Sequence, residues 1–219
     1  MMPISRFLRL LAGAAMLVSV VACTKEGAGT KEFSYKDFSI AKESAQAGEG
    51  NSVTFKGDPK PLAGNGIKVG DKLRDVHLVK GDLSQQNIAE ASGKVRIISI
   101  VPSIDTAVCE QQTHHLSEKS DGLPENVSLV TISVDTPFAQ GRFAKEAKIT
   151  NVTFLSDYRG GEFGKAHGLL VSNPHILARA VMVVDKDNVI RYLQITPELA
   201  QMPDMEAAYA AARDVAKKG

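Results

Sequence analysis

The chain has 219 residues, of which 43% are hydrophobic and 23% are charged, with two cysteines and no tryptophan. These values lie near the averages for folded proteins, so they exclude a largely disordered chain and a small domain held together by disulfides. The net charge of +1 gives no strongly basic surface of the kind that drives binding to a nucleic-acid backbone. We therefore expect no nucleic acid among the partners.

Residues 1–22 have the features of an export signal. Arg6 and Arg9 precede an apolar run over residues 10–22, which as a helix would rise roughly 20 Å and is too short for a hydrocarbon core about 30 Å thick. The run ends in Val-Val-Ala-Cys23, which resembles the lipobox of bacterial lipoproteins. The resemblance implies cleavage before Cys23, acylation of that residue, and a lipid anchor that holds the protein on the extracytoplasmic face of a membrane in the cell envelope.

The remaining chain divides by composition into a tether and one domain. Residues 23–50 are rich in Gly, Ala, Ser, Lys and Glu and have no sustained apolar period, so we predict that the lipidated Cys23 is followed by a flexible tether. The domain is predicted to cover residues 51–219. It begins with an alternating segment, 52–56, and turn-forming clusters, which together favour an amino-terminal β-hairpin.

The rest of the domain alternates strands with helices. Three runs are almost continuously apolar, over residues 95–101, 127–134 and 180–184, as expected for strands covered on both faces in a mostly parallel sheet. Residues 189–195 form a predicted hairpin partner for the last of them. Helices are predicted after Val108, over residues 137–148, near residues 161–167, and at the carboxyl end, where the apolar residues fall on one helical face. This order indicates an α/β sandwich of thioredoxin type.

The residues with the clearest chemistry lie between the first apolar strand and the following helix. Cys109 is predicted at the start of that helix, where unpaired backbone N–H groups and the helix dipole favour a thiolate, the nucleophilic form of cysteine. A disulfide exchanger would carry Cys-x-x-Cys here, but this chain has Thr106 at the first position. A hydroxyl three residues upstream can hydrogen-bond both the sulfur and a bound oxygen substrate, which favours peroxide chemistry.

The pattern Pro102-x-x-x-Thr106-x-x-Cys109 resembles the peroxiredoxin signature, and Pro-Ser-Ile-Asp-Thr-x-Val-Cys resembles that of its thiol peroxidase subfamily. Further segments similar to the subfamily are 52–59, 135–143, 159–163 and 177–185. The resemblance implies a peroxiredoxin fold with a central mixed sheet flanked by helices. It also implies that Cys109 attacks the peroxide, Thr106 orients it, Pro102 shields the thiolate from water, and Arg179 stabilises the thiolate and polarises the leaving oxygen.

The chain departs from the subfamily at one position. A resolving cysteine normally follows the Arg-Phe of the segment at 137–143, and here Ala144 stands in its place. Cys23 is the only other cysteine, and acylation would remove its thiol. We therefore predict a one-cysteine cycle in which an external thiol or a thioredoxin-like protein reduces the Cys109 sulfenic acid. The family also implies a homodimer.

Other functions have weaker support in the sequence. His114 and His115 occupy adjacent helical positions that do not converge on one ion, so we expect no metal site. Peroxide reduction by a thiol needs no cofactor, and none is expected. A thiol-disulfide oxidoreductase would need the missing second cysteine. The alternative from another class is a non-catalytic envelope lipoprotein, a binding module with a relic peroxidatic site.

Overall fold

The computed structural model describes residues 33–90, 92–120 and 122–218, so the predicted signal peptide and Cys23 lie outside the described residues. Phe33–Gly219 forms one compact unit. The helices of the described part are α1 (Ala107–Glu118), α2 (Pro137–Glu146), α3 (Glu162–His167) and α4 (Met205–Lys218). The strands are β1 (Ser52–Phe55), β2 (Asp58–Ala63), β3 (His77–Val79), β4 (Gln85–Asn87), β5 (Val95–Ile100), β6 (Val127–Ser133), β7 (Val152–Ser156), β8 (Leu170–Val171), β9 (Ile176–Leu177), β10 (Ala180–Val184) and β11 (Ile190–Ile195). None of the helices in these ranges is long and apolar enough to cross a membrane.

The main sheet has the strand order β11-β10-β5-β6-β7-β3-β4. The three central strands β5, β6 and β7 run parallel to one another, and every other pair in the sheet is antiparallel. The sheet is therefore mixed, as the family resemblance implies, and less parallel than the apolar runs alone suggest. A smaller sheet has the order β1-β2-β8-β9 and begins with the predicted amino-terminal hairpin.

The central strands are apolar on both faces because each face meets its own core. On β10, Ala180, Met182 and Val184 pack into one core with Phe163 and with Val53 of the hairpin. The alternate residues of β10 pack into a second core with apolar side chains of α1, α2 and α4. This alternation follows from the period of two along a strand, and it confirms the predicted α/β sandwich.

The helix ends follow from local hydrogen bonding. Thr136 caps α2 by accepting a bond from the Ala139 amide, with Pro137 at the first helical position. At the start of α4, Asp204 accepts a bond from the Ala207 amide at 2.9 Å. These caps fix where each chain segment turns from strand into helix.

The predicted flexible tether is wrong for residues 33–50. The Ala41 amide donates to the Met202 carbonyl, and the Ala45 amide donates to the Ile195 carbonyl, each at 2.8 Å. Gly48 lies so close to Gly168 that a Cβ on residue 168 would be 2.4 Å from the Gly48 nitrogen. Small residues in this segment serve close backbone packing, so the domain begins near residue 33 instead of residue 51.

Candidate active site

Cys109 lies in the first turn of α1, directly beyond the carboxyl end of β5, and its side chain is fully buried. The helix begins here because Thr106 has an extended backbone, with φ −121° and ψ 145°, before the helical residues. The sulfur therefore lies near the first backbone N–H groups of α1, where the helix dipole favours negative charge. This is the position that the sequence predicts for a nucleophilic cysteine.

Thr106 contacts the sulfur with its side chain. Its Oγ1 lies 2.9 Å from Cys109 Sγ and 3.3 Å from the Ser103 carbonyl. The hydroxyl does not cap the helix backbone, as a threonine at this position commonly does. It is therefore available to hydrogen-bond the sulfur or an oxygen that approaches it.

Arg179 immediately precedes β10, and its side chain is almost completely buried. The first residue of β10, Ala180, pairs with Ile100 at the end of β5, so the antiparallel register brings Arg179 to the start of α1. Its NH2 group donates to Cys109 Sγ at 3.3 Å. This contact places the positively charged guanidinium beside the sulfur.

Gln112 holds the arginine and is a residue that the sequence analysis missed. Its Oε1 accepts a bond from Arg179 NH1 at 2.9 Å, while Arg179 Nε donates to the Leu199 carbonyl at 2.9 Å. Gln112 Nε2 in turn donates to Ser99 Oγ at 2.8 Å. Because Gln112 is three residues after Cys109, it lies on the same face of α1, and that spacing is the signal that could have found it.

The loop before α1 is fixed to the next strand by Asp135. Its Oδ1 accepts a bond from Ser103 Oγ, and its Oδ2 accepts one from the Ile104 amide, both at 2.8 Å. A carboxylate that accepts two bonds holds the loop in one conformation. Asp135 belongs to the segment 135–143 that resembles the subfamily. Its two hydrogen bonds hold the loop that precedes α1.

A cavity of about 740 Å³ opens beside the sulfur. Pro102, Thr106 and Arg179 line it together with mostly apolar residues. Pro102 is buried and lies two residues after the end of β5. Three of the four predicted site residues thus line one cavity. The fourth, Cys109, contacts Thr106 and Arg179 through its sulfur.

The remaining sequence predictions concern residues outside this site. Ala144 lies on α2 and is partly exposed. Cys109 is the only cysteine within the described ranges, and it is unpaired. Within the same ranges, no group of three or more His, Cys, Asp and Glu side chains could hold a metal ion.

The structure combines a thioredoxin-like sheet with a buried cysteine at a helix start, and a hydroxyl and a guanidinium contact the sulfur of that cysteine. This combination defines the class of peroxide-reducing thiol enzymes. Comparison with known proteins agrees. The Redoxin family model matches residues 68–210. Thiol peroxidase from Streptococcus pneumoniae is 43% identical over 161 residues, which cover 74% of this chain and 98% of that protein. Thiol peroxidase from Staphylococcus aureus is also 43% identical, over 163 residues that cover 74% and 98% of the two chains.

Solved structures show the same likeness. A peroxiredoxin-like protein from Aquifex aeolicus is 35% identical and superposes with a TM-score of 0.70, covering 75% of this chain and 96% of that chain. The chain belongs to the thiol peroxidases of the Redoxin family, and it is an enzyme of the peroxiredoxin type. This assignment disfavours the non-catalytic lipoprotein that the sequence analysis kept as an alternative.

Proposed function

We propose that this peroxidase reduces hydrogen peroxide and organic hydroperoxides, lipid hydroperoxides among them, through a one-cysteine cycle. The Cys109 thiolate attacks the distal oxygen of ROOH, and the O–O bond breaks. The sulfur becomes a sulfenic acid, and RO⁻ leaves and takes a proton from solvent to give ROH. An external thiol then forms a mixed disulfide with Cys109 and releases water. A second thiol reduces that mixed disulfide and restores Cys109.

The observation that carries this proposal is the convergence of Thr106 and Arg179 on Cys109 Sγ, at 2.9 Å and 3.3 Å. The guanidinium stabilises the attacking thiolate and the negative charge that develops on the leaving oxygen. The hydroxyl can accept a hydrogen bond from the peroxide O–H or donate one to the reacting oxygen, which aligns the O–O bond with the sulfur. Both groups are held by the fold before substrate enters.

The external reductant follows from the cysteine content. Between residues 33 and 218 the chain has Cys109 alone, and Ala144 stands where the subfamily carries a resolving cysteine. If Cys23 is acylated, no second thiol of the same chain can condense with the sulfenic acid. A small thiol or a thioredoxin-like protein of the same compartment is therefore the partner that we propose.

The proposed location rests on Cys23. Its acylation would hold the enzyme on a membrane of the cell envelope, because two or three acyl chains bind far more tightly than one. Only nine residues separate Cys23 from Phe33, so a fully extended connection keeps the domain within about 35 Å of the anchor. Replacing Cys23 with Ser should release the protein from the membrane fraction and abolish its labelling by radioactive fatty acid.

Intact-mass spectrometry tests the cycle. The chain beginning at Thr24, which includes every described residue, is mixed with one equivalent of hydrogen peroxide in the presence of a sulfenic-acid trap. We expect a rapid adduct that Cys109→Ser abolishes, no disulfide between two chains, and a mixed disulfide at Cys109 once an external thiol is added. A thiol that stays intact in excess peroxide would contradict the proposal. Light scattering of the same sample tests the predicted homodimer.

A further inference from the structure

The segment of residues 33–41, which we call the strap, lies against one face of α1. That face carries three polar side chains, Gln111, His114 and Glu118, at helical spacings of three and four residues. Gln111 is 6% exposed and His114 is 5% exposed, although polar side chains on a helix surface are usually solvated. The strap lies outside residues 68–210, which the family model matches.

Lys36 of the strap holds Gln111 by both ends of its side-chain amide. The Lys36 N–H donates to Gln111 Oε1 at 2.6 Å, and Gln111 Nε2 donates to the Lys36 carbonyl at 2.9 Å. Gln111 is two residues after Cys109, so these bonds fix the part of α1 that carries the sulfur. The two side chains leave the helix about 200° apart, so the strap holds α1 from the side opposite Cys109.

Two further contacts of the strap lie nearer the carboxyl end of α1. The Phe33 ring stacks on His114, with 3.8 Å between the ring centroids. The Tyr35 hydroxyl donates at 2.8 Å to Glu118, the last residue of the helix. Because the helix rises by about 13 Å between Cys109 and Glu118, the Tyr35 contact is remote from the sulfur.

The other end of the strap is bonded to the connection between β11 and α4. The Ala41 amide donates to the Met202 carbonyl, and the Met202 amide donates to the Ser39 carbonyl, each at 2.8 Å. Met202 is three residues after Leu199, whose carbonyl accepts the bond from Arg179 Nε. The strap therefore connects the helix that carries the sulfur with the segment that holds the guanidinium.

We propose that the strap sets the separation between Cys109 Sγ and the Arg179 guanidinium, and that Gln111 is the positioning residue through which the strap acts on α1. This inference rests on the proposed cycle, in which the contact at 3.3 Å stabilises the attacking thiolate. A displacement of α1 lengthens that contact, and the attraction between two charges weakens with distance. The segment that leads from Cys23 to the domain thus takes part in catalysis.

A double-mutant cycle tests this role. The quantity measured is the rate constant for oxidation of Cys109 by excess hydrogen peroxide, followed by intact mass with a sulfenic-acid trap in the chain beginning at Thr24. Gln111→Ala should lower it by about fivefold to tenfold, as the loss of two hydrogen bonds between uncharged groups gives. In an Arg179→Met background, where the guanidinium is absent, Gln111→Ala should change it by less than about twofold.

Two variants of the strap separate its two ends on α1. Lys36→Pro removes the N–H that donates to Gln111 and leaves α1 itself unchanged, and it should lower the rate constant by about twofold to fivefold. Tyr35→Phe removes the hydroxyl that donates to Glu118 and should leave the rate constant unchanged. Urea unfolding verifies that each variant is folded under the conditions of the assay.

Three results would overturn the positioning role. They are an unchanged rate constant in Gln111→Ala, an equal fold-decrease with and without Arg179, and a decrease in Tyr35→Phe as large as that in Gln111→Ala. The second of these would make Gln111 a merely structural residue, because independent sites have additive effects. A wild-type chain whose Cys109 is not oxidised by hydrogen peroxide would instead overturn the proposed cycle, and the role of the strap with it.

Discussion

Replacing Arg179 with Lys tests whether the site needs the shape of the guanidinium or only its charge. The three nitrogens of Arg179 donate in three directions, to the Leu199 carbonyl at 2.9 Å, to Gln112 Oε1 at 2.9 Å and to Cys109 Sγ at 3.3 Å. A lysine keeps one positive charge, but its ammonium is a single point that cannot span all three acceptors. The variant therefore preserves charge and removes the fork.

The expected loss can be worked from these contacts. A hydrogen bond to a charged group contributes about 1.5–3 kcal/mol, and each 1.4 kcal/mol of transition-state stabilisation corresponds to about tenfold in rate. If the lysine turns to Leu199 or Gln112, the bond to Cys109 is lost, and kcat/KM for hydrogen peroxide should fall between about 10-fold and 150-fold. The free energy of unfolding should fall by about 1–3 kcal/mol, because a buried acceptor is left without its donor.

Peroxide consumption with a fixed external thiol measures the rate, and urea unfolding measures stability. Arg191→Lys is the matched control, because Arg191 is half exposed and pairs with Asp185 far from the sulfur. We expect it to change stability by less than about 1 kcal/mol and to leave the rate unchanged. If Arg179→Lys stays within about twofold of the wild-type rate while Arg179→Met is inactive, positive charge alone is sufficient and the argument from the fork is wrong.

Three further predictions follow from contacts elsewhere in the structure. Thr106→Val removes the hydroxyl that lies 2.9 Å from the sulfur, so kcat/KM should fall about 10-fold to 100-fold. Thr106→Ser retains a hydroxyl and should keep the wild-type kcat/KM. Equal rates for Thr106→Val and the wild type would exclude the contact from catalysis. Burial lowers the pKa of His167 from 6.5 to about 4. Because the unfolded chain binds the extra proton between these pH values, the free energy of unfolding should decrease by about 1.4 kcal/mol per pH unit as pH falls from 6.5 toward 4. His167→Gln should flatten this part of the pH profile of urea unfolding, and an unchanged slope would refute the assignment. A chain that begins at residue 51 should have a free energy of unfolding at least about 3 kcal/mol lower than one that begins at residue 33, because it loses the backbone hydrogen bonds of residues 33–50. Equal midpoints of urea unfolding for the two chains would show that this segment adds nothing to stability.

The residues that contact the sulfur could be predicted because their signals are local or belong to a recognisable pattern. Thr106 and Cys109 are three residues apart at a helix start, so local geometry alone brings them together. Arg179 lies 70 positions away from Cys109 in the chain, and only the family pattern pointed to it. The structure supplies the physical reason, which is the antiparallel register of β10 on β5.

Gln112 could not be recognised from its own chemistry. A glutamine within a helix is usually solvated, and nothing in its immediate neighbours marks it as buried. Its role becomes visible only when β10 delivers Arg179 to the same face of α1. The burial of this polar side chain is possible because both ends of its amide have partners, Arg179 on one side and Ser99 on the other.

Residues 33–50 were misassigned for a different reason. Hydropathy measures the burial of side chains, whereas part of this segment is held through its backbone, at Ala41, Ala45 and Gly48. A composition rich in Gly, Ala and Ser is common to flexible linkers and to chain that packs closely against a domain. Only the partners on the other side distinguish the two, and those partners are more than 100 residues away in sequence.

The burial of Cys109 and the lack of a second thiol in the described domain together limit how the cycle can be completed. Because the sulfur is fully buried, the peroxide and the reducing thiol must both reach it past Thr106 and Arg179, which line the same cavity. The alcohol formed from an organic hydroperoxide would occupy this same cavity. Its release must therefore precede the approach of the thiol, and a saturating concentration of this product should slow reduction of the sulfenic acid without slowing its formation by hydrogen peroxide to the same degree.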